Sequence, residues 1–271
     1  LTPPQEIDLA GDVRWRGPEQ PDGGGEGVPG IMTHDAGKLG NGDYVLLRNE
    51  VDANGFVGAR VEEITPDHEV VWSWSLFEHL QPDPARDDVD WCHPNAITID
   101  EANELLYLGC RWLGVIKARI GGDQAIVWTL GEGLDGGSFT FDPPEAGFAD
   151  EHDPEIHDDG TVLLYDNGGY TLFPTGSERS RVLELALDES AGTAALVWSF
   201  PGDFAVDAWY RDEWYTPFWG DADDLGDGHV LITAGVRSAS ASSRIFEVRR
   251  ADGQVVWELT FPPDVGTYQA E

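Results

Sequence analysis

Apolar residues fall in short runs punctuated by Gly, Asp and Asn, and these runs recur in one order four times along the chain. The first unit, about 30–76, reads THDAGKLGNGDYVLL, then GARVEEIT, then EVVWSWSL. The second, about 90–131, reads DWCHPNAITID, ELLYLGCR, GVIKARI and AIVWTLG. The third, about 148–201, reads FADEHDPEIHDDG, TVLLYDN, RVLELALD and ALVWSFP. The fourth, about 215–262, reads YTPFWGDADDLGDG, HVLITAG, SRIFEVRR and QVVWELTFP. Short apolar runs bounded by turn residues predict strands and tight turns. No segment sustains a 3.6-residue apolar period, so helices are expected to be few and short.

Two markers ride on this pattern. Tryptophans at 15, 72, 128, 198 and 257 close the strand groups, and His34, His93 and His152 precede them at spacings of 59 residues. Self-similarity at this period is the signature of a propeller or solenoid. The expected fold is therefore all-β, a β-propeller of four-stranded antiparallel blades forming a single domain over residues 1–271. Residues 5–17 look like the last strands of a unit and 264–271 like the start of one. Sharing one blade between both termini removes a free sheet edge, so five blades closed in this way are expected, with six as the alternative. The stretches 17–30 and 202–215 are expected to be surface loops. The second carries Trp209, Tyr210, Trp214 and Tyr215, and the glycines at 23–25 lack the Lys-Ser/Thr that a phosphate cradle needs.

Charge narrows the list of partners. With 51 acidic against 16 basic residues the formal charge is −35, and only Lys38 and Lys117 among the basic residues are lysines. Dense carboxylate with almost no lysine resembles adaptation to high salt, where counterions screen self-repulsion. It excludes nucleic acid as an expected partner, because phosphate binding needs a basic face. No apolar run is long enough to span a bilayer. The chain begins at Leu1, so a signal peptide is taken as already removed and a periplasmic or extracellular location is expected. The oligomeric state is not legible.

The only two cysteines, Cys92 and Cys110, flank a predicted hairpin that turns near 100–103. Folding it brings them nearly opposite each other, which allows either a disulfide or two small buried thiols. A bridge fits an oxidising compartment.

Aligning the units on their first strands makes His34, His93, His152 and Gly220 equivalent. First strands line a propeller's axis, so three imidazoles are expected to converge. Such a set has two chemical uses, the alternative being a non-catalytic ligand-binding or scaffold propeller that keeps the histidines for structure. The set can ligate Zn²⁺ or Fe²⁺ through three histidines, or one ring can act as nucleophile while the others orient an anion and move protons. Arg111, across the hairpin from His93, and Asn95, on the same strand face, favour an oxyanion over a metal cation. The acidic clusters at 150–153 and 221–224 are candidates for Ca²⁺ or simply a solvated rim. Trp91, Trp112, Trp219 and Thr216 are candidate substrate contacts.

The order HPNAITID, Cys-Arg, IKARI and VWTLG resembles the bacterial arylsulfate sulfotransferases. EHDPEIHDDGTVLLYDNGG with SRVLELALD, and THDAGKLGNGDYVLL, are similar to two further segments of that family. The resemblance covers about 30–262. It implies sulfuryl transfer from an aryl sulfate to a phenol without a nucleotide donor or other cofactor, through a sulfohistidine. Carried over by position, it makes His152 the nucleophile. His93, Asn95 and Arg111 would hold the sulfuryl oxygens, and His34 would assist proton transfer. Trp219-Gly220-Asp221 stands where the family places a hydroxyl residue, and Thr216 lies nearby.

Overall fold

A computed structural model describes residues 3–19, 29–85, 88–131, 134, 137–168, 180–202, 215–235, 242–262, 265–268 and 270. Trp209, Tyr210, Trp214 and the glycines at 23–25 lie outside the described residues. The apolar runs become strands. A two-stranded ribbon, β1 (Gln5–Ile7) and β2 (Val13–Arg16), precedes a sheet of β3 (Met32–Lys38), β4 (Tyr44–Val51), β5 (Val57–Ile64) and β6 (Val70–Ser75). The next sheet holds β7 (Pro94–Asp100), β8 (Leu105–Cys110), β9 (Gly114–Arg119) and β10 (Ile126–Leu130). Then come β11 (Thr140–Asp142), β12 (His152–Ile156), β13 (Thr161–Asp166), β14 (Arg181–Asp188) and β15 (Thr193–Phe200). The last sheet is β16 (Asp221–Gly226), β17 (His229–Ala234), β18 (Arg244–Arg249) and β19 (Gln254–Thr260). Consecutive strands pair antiparallel within each sheet. The exception is β11, a short strand added parallel to β15 that the sequence pattern did not signal.

Burial explains the run lengths. The second strands are buried on both faces, completely so in β13 and at every position but Leu105 in β8. A strand covered on both sides reads as an unbroken apolar run rather than an alternation. The tryptophan strands are more exposed, and β19 has no buried position at all.

The tryptophan ladder has a mechanical role. Trp15 Nε1 donates to the carbonyl of Pro66, Trp72 to that of Ile120 and Trp198 to that of Arg250, at 3.1, 3.1 and 3.2 Å. Trp128 Nε1 donates to the Glu189 carboxylate at 2.9 Å. Each acceptor sits at the turn between the last two strands of the following sheet. A large ring with one polar edge thus fastens one sheet to the next.

Closure is where the expectation fails. Among the described residues no strand from the tail joins β1 and β2, which form a ribbon of their own, and no sheet closes with strands from both ends. The closing blade expected of the five-bladed arrangement, and of its six-bladed alternative, is not formed by the described residues. The described tail residues place their bonds elsewhere: Thr267 N–H donates to Ser243 Oγ and Ala270 N–H to the Asp221 carboxyl. The Thr267 and Ala270 N–H groups are committed to side-chain acceptors rather than to a neighbouring strand. Trp257, the last of the ladder, is accordingly 48% exposed.

The chain divides into two compact units, one of residues 1–110 and 116–127, the other of residues 111–115 and 128–271. In the first, Cys92 and Cys110 are joined by a disulfide, with their Cα atoms 5.0 Å apart. The ribbon is held there by Trp15 stacking on Tyr44 at 3.6 Å between centroids, and by Lys38 bonding Glu6.

Candidate functional site

Three first strands carry a break in register at or next to a histidine: between Met32 and Ala36, between Pro94 and Ala96, and between His152 and Glu155. A bulge re-aims the side chains beside it. The backbone there is also left-handed, with φ of 55° at His34, 50° at His93 and 46° at Asp153. Each such non-glycine residue costs about 1–3 kcal/mol, a strain that persists only where the surroundings over-determine it.

In the first unit, His34 and His93 come together with ring centroids 5.4 Å apart. Each ring is fixed by a neighbour. Asp90 holds His93 Nδ1 at 2.5 Å, and Thr33 Oγ1 contacts His34 Nδ1. Asp35 accepts the Ile97 N–H at 2.7 Å, tying the first strands of two sheets side by side. Asn95 is fully buried. Trp91 is a core residue, 4% exposed and stacked on Phe77.

In the second unit, His152 is 1% exposed and held from both nitrogens. Its Nδ1 lies 2.8 Å from Asn167 Oδ1 and 3.2 Å from the Asp150 carbonyl, and its Nε2 accepts the Trp219 N–H at 3.3 Å. The same two segments bracket Arg111. Its guanidinium donates to the Pro217 carbonyl at 2.9 Å and stands 3.7 Å from the Asp150 carboxylate. It lies over the Trp112 ring at 4.4 Å and the Phe218 ring at 5.9 Å. Arg111 Nε is a buried donor with no hydrogen-bond partner among the described residues. A series of rings continues from Phe218 to Trp219, from Trp219 to Tyr268 at 5.9 Å, and from Tyr268 to His152 at 6.1 Å.

These two clusters, imidazoles with fixed neighbours and a guanidinium set among aromatic rings, sit in a chain that matches the arylsulfotransferase (ASST) family over residues 27–269. The chain belongs to the arylsulfotransferase family. No curated protein matches it. Among solved structures it is similar to the Dos1 propeller at 10% identity and a TM-score of 0.46, covering 86% of this chain. It is also similar to an exo-β-1,3-galactanase of Phanerochaete chrysosporium at 11% identity and a TM-score of 0.43, covering 96% of this chain. The chain spans 63% and 53% of the lengths of those two proteins.

One candidate contact, Thr216, turns out to be internal. Thr216 is fully buried, accepting from Tyr165 at 3.0 Å through its hydroxyl and donating its N–H to Ser180 Oγ at 2.8 Å. Trp219 meets His152 through its backbone rather than its ring, with φ of 65°. Gly220, the position aligned with the histidines, lies at φ 131° against Tyr165, and a Cβ there would come within 2.5 Å of that ring. The fourth repeat therefore offers no side chain at the histidine position.

Four residues near the clusters escaped the sequence reading: Asp90, Asn167, Phe218 and Tyr268. Asp90 was findable as the carboxylate three residues before His93, and Asn167 as the last residue of YDN. Asp166, the residue before Asn167, accepts the N–H groups of Ala149 and Gly168 and pairs with buried Arg181 at 2.7 Å. Arg181 in turn donates to the carbonyls of Glu145 and Gly147. The Asp-Asn dipeptide thus anchors both the loop into His152 and the ring itself.

Acidic residues adjoin this cluster as well. Asp221 is 1% exposed, and burial, then the Asp153 and Asp223 carboxylates, push its pKa up to about 10. It is a proton-holding partner of Asp153 rather than a second anion. Among the described residues no group of three or more His, Cys, Asp or Glu side chains is placed to hold a metal ion, and no helix is long and apolar enough to cross a membrane.

Proposed function

We propose that this protein transfers the sulfuryl group of a small aryl sulfate to a phenolic acceptor, with His152 as covalent carrier and no nucleotide donor. The observation that carries the reading is the state of His152, a buried ring whose Nδ1 faces an amide oxygen and whose Nε2 faces an N–H. That arrangement leaves the lone pair on Nε2. In the first half-reaction Nε2 gives up its hydrogen bond from the Trp219 N–H and its lone pair attacks sulfur, the S–O bond to the aryl group breaks, and the aryl oxygen leaves with the electron pair. In the second, the acceptor phenol oxygen attacks sulfur, loses its proton, and the N–S bond breaks to restore the lone pair.

Sulfuryl transfer, like phosphoryl transfer, proceeds through a loose in-line transition state, so positioning and charge stabilisation carry most of the barrier reduction. Arg111, with a donor to spare and its plane against aromatic rings, suits an oxyanion borne on an aryl group. In this reading Phe218, Trp219 and Tyr268 contact the aryl ring. By the family resemblance His93, whose ring Asp90 orients, would hold the sulfuryl oxygens and its neighbour His34 would assist proton transfer. The disulfide accords with a periplasmic or extracellular location.

The test is turnover of a chromogenic aryl sulfate by His152→Ala. Activity is expected to vanish while near-ultraviolet circular dichroism stays unchanged, and intact-mass analysis of the wild type after donor alone is expected to show one added sulfuryl group. A folded variant with full turnover overturns the assignment.

A further inference from the structure

Asn167 has no role in the family resemblance set out above, yet its surroundings decide how His152 is protonated. Its Nδ2 lies 2.6 Å from the Thr216 carbonyl and 2.7 Å from the Trp219 carbonyl. A carbonyl oxygen only accepts, so the amide nitrogen must face these two and the amide oxygen must face the other way. That oxygen is the atom 2.8 Å from His152 Nδ1. An acceptor there requires a proton on Nδ1, and the Asp150 carbonyl at 3.2 Å makes the same demand. At the opposite nitrogen the Trp219 N–H is a donor, which requires an unprotonated Nε2.

We infer that Asn167 is a positioning residue that locks His152 in the Nδ1–H tautomer and so presents Nε2 as the nucleophile. The inference rests on the proposed role of His152, which it deepens. Its anchors are backbone atoms of the segment that also supplies the Trp219 donor, so the amide cannot turn without losing two bonds in a site where an unmet polar group is expensive. The lock also acts during reaction. As Nε2 bonds to sulfur the ring gains positive charge, and the Nδ1–H bond to Asn167 strengthens in the transition state relative to the ground state. Unlike a purely structural contact, this predicts a loss in kcat without a matching change in KM.

The experiment combines ¹⁵N-histidine NMR with steady-state kinetics on the full chain, the His152 signal being identified by its disappearance in His152→Gln. Wild type is expected to show the Nδ1–H form. Asn167→Ala is expected to show a tautomer mixture and a kcat lower by about 10–100-fold, the range typical of removing an orienting partner, with KM little changed. Asn167→Asp keeps an acceptor oxygen toward Nδ1 but loses the two Nδ2 donors, and is expected to retain the Nδ1–H form; if the alanine variant does not fold, the wild-type spectrum decides. A wild-type spectrum with Nε2 protonated, or Asn167→Ala with unchanged tautomer and kcat, overturns the inference. The NMR result in the unmodified protein does not depend on sulfotransfer. Wild-type protein inactive on aryl sulfates but showing the Nδ1–H form would sink the proposed function and leave the tautomer lock standing.

Discussion

Asp221 gives the residue scale its clearest consequence. A carboxyl whose folded pKa is raised to about 10 takes up a proton on folding that the unfolded chain has released above about pH 4. Its contribution to stability is complete below the unfolded pKa and is lost as pH rises toward the folded one. The wild type should therefore lose stability progressively from about pH 4 to pH 10 relative to Asp221→Asn, which keeps a hydrogen-bonding neutral group in place. Urea denaturation midpoints of the two proteins measured across this range test it, the variant being the more stable at alkaline pH. Parallel pH dependences of the two would show that Asp221 does not hold the proton. The same residue places the tail, because its carboxyl accepts the Ala270 N–H. Neither fact is visible in the acidic stretch DADD at 221–224, where the only pattern is charge.

At the scale of elements, the tryptophan strands were legible from their spacing, while what the rings do was not. Trp72 and Trp198 each place an indole N–H on a turn about fifty residues further on, in the next sheet. Sequence shows that such a residue recurs, but the acceptor is a backbone carbonyl, which any residue supplies. Trp72→Phe keeps an aromatic ring and removes the indole donor to the Ile120 carbonyl, and is expected to lower unfolding free energy by about 1 kcal/mol. Trp257→Phe, at a half-exposed site, should change it by less than about 0.5 kcal/mol. Chemical denaturation of both variants checks the contrast; equal effects would remove the staple argument. The histidine-bearing bulges mix the two kinds of information similarly. Regular spacing marked His34, His93 and His152, but the left-handed turns at His34, His93 and Asp153 follow from register slips that no residue pattern announced.

For the whole molecule, the excess of carboxylates governs the response to salt. At a formal charge of −35 the folded chain repels itself. Raising ionic strength from about 0.1 to about 1 M shortens the screening length from about 10 to about 3 Å. The melting temperature is expected to rise across that range in sodium chloride, as followed by circular dichroism; a flat or falling trend would show that the acidic surface is not self-destabilising.

Sequence alone determined the strand class, the fourfold order of runs, the histidine and tryptophan periods and the family, because each is carried by which residues stand at which spacing. Tertiary structure decided the rest. It placed Asn167 beside His152, gave Gly220 to the Tyr165 ring, buried Thr216 and Trp91, and turned the tail toward Asp221 and Ser243 instead of a closing blade. The physical reason is common to all of these. They depend on backbone donors and acceptors, which every residue carries, and their partners become definite only when the chain folds.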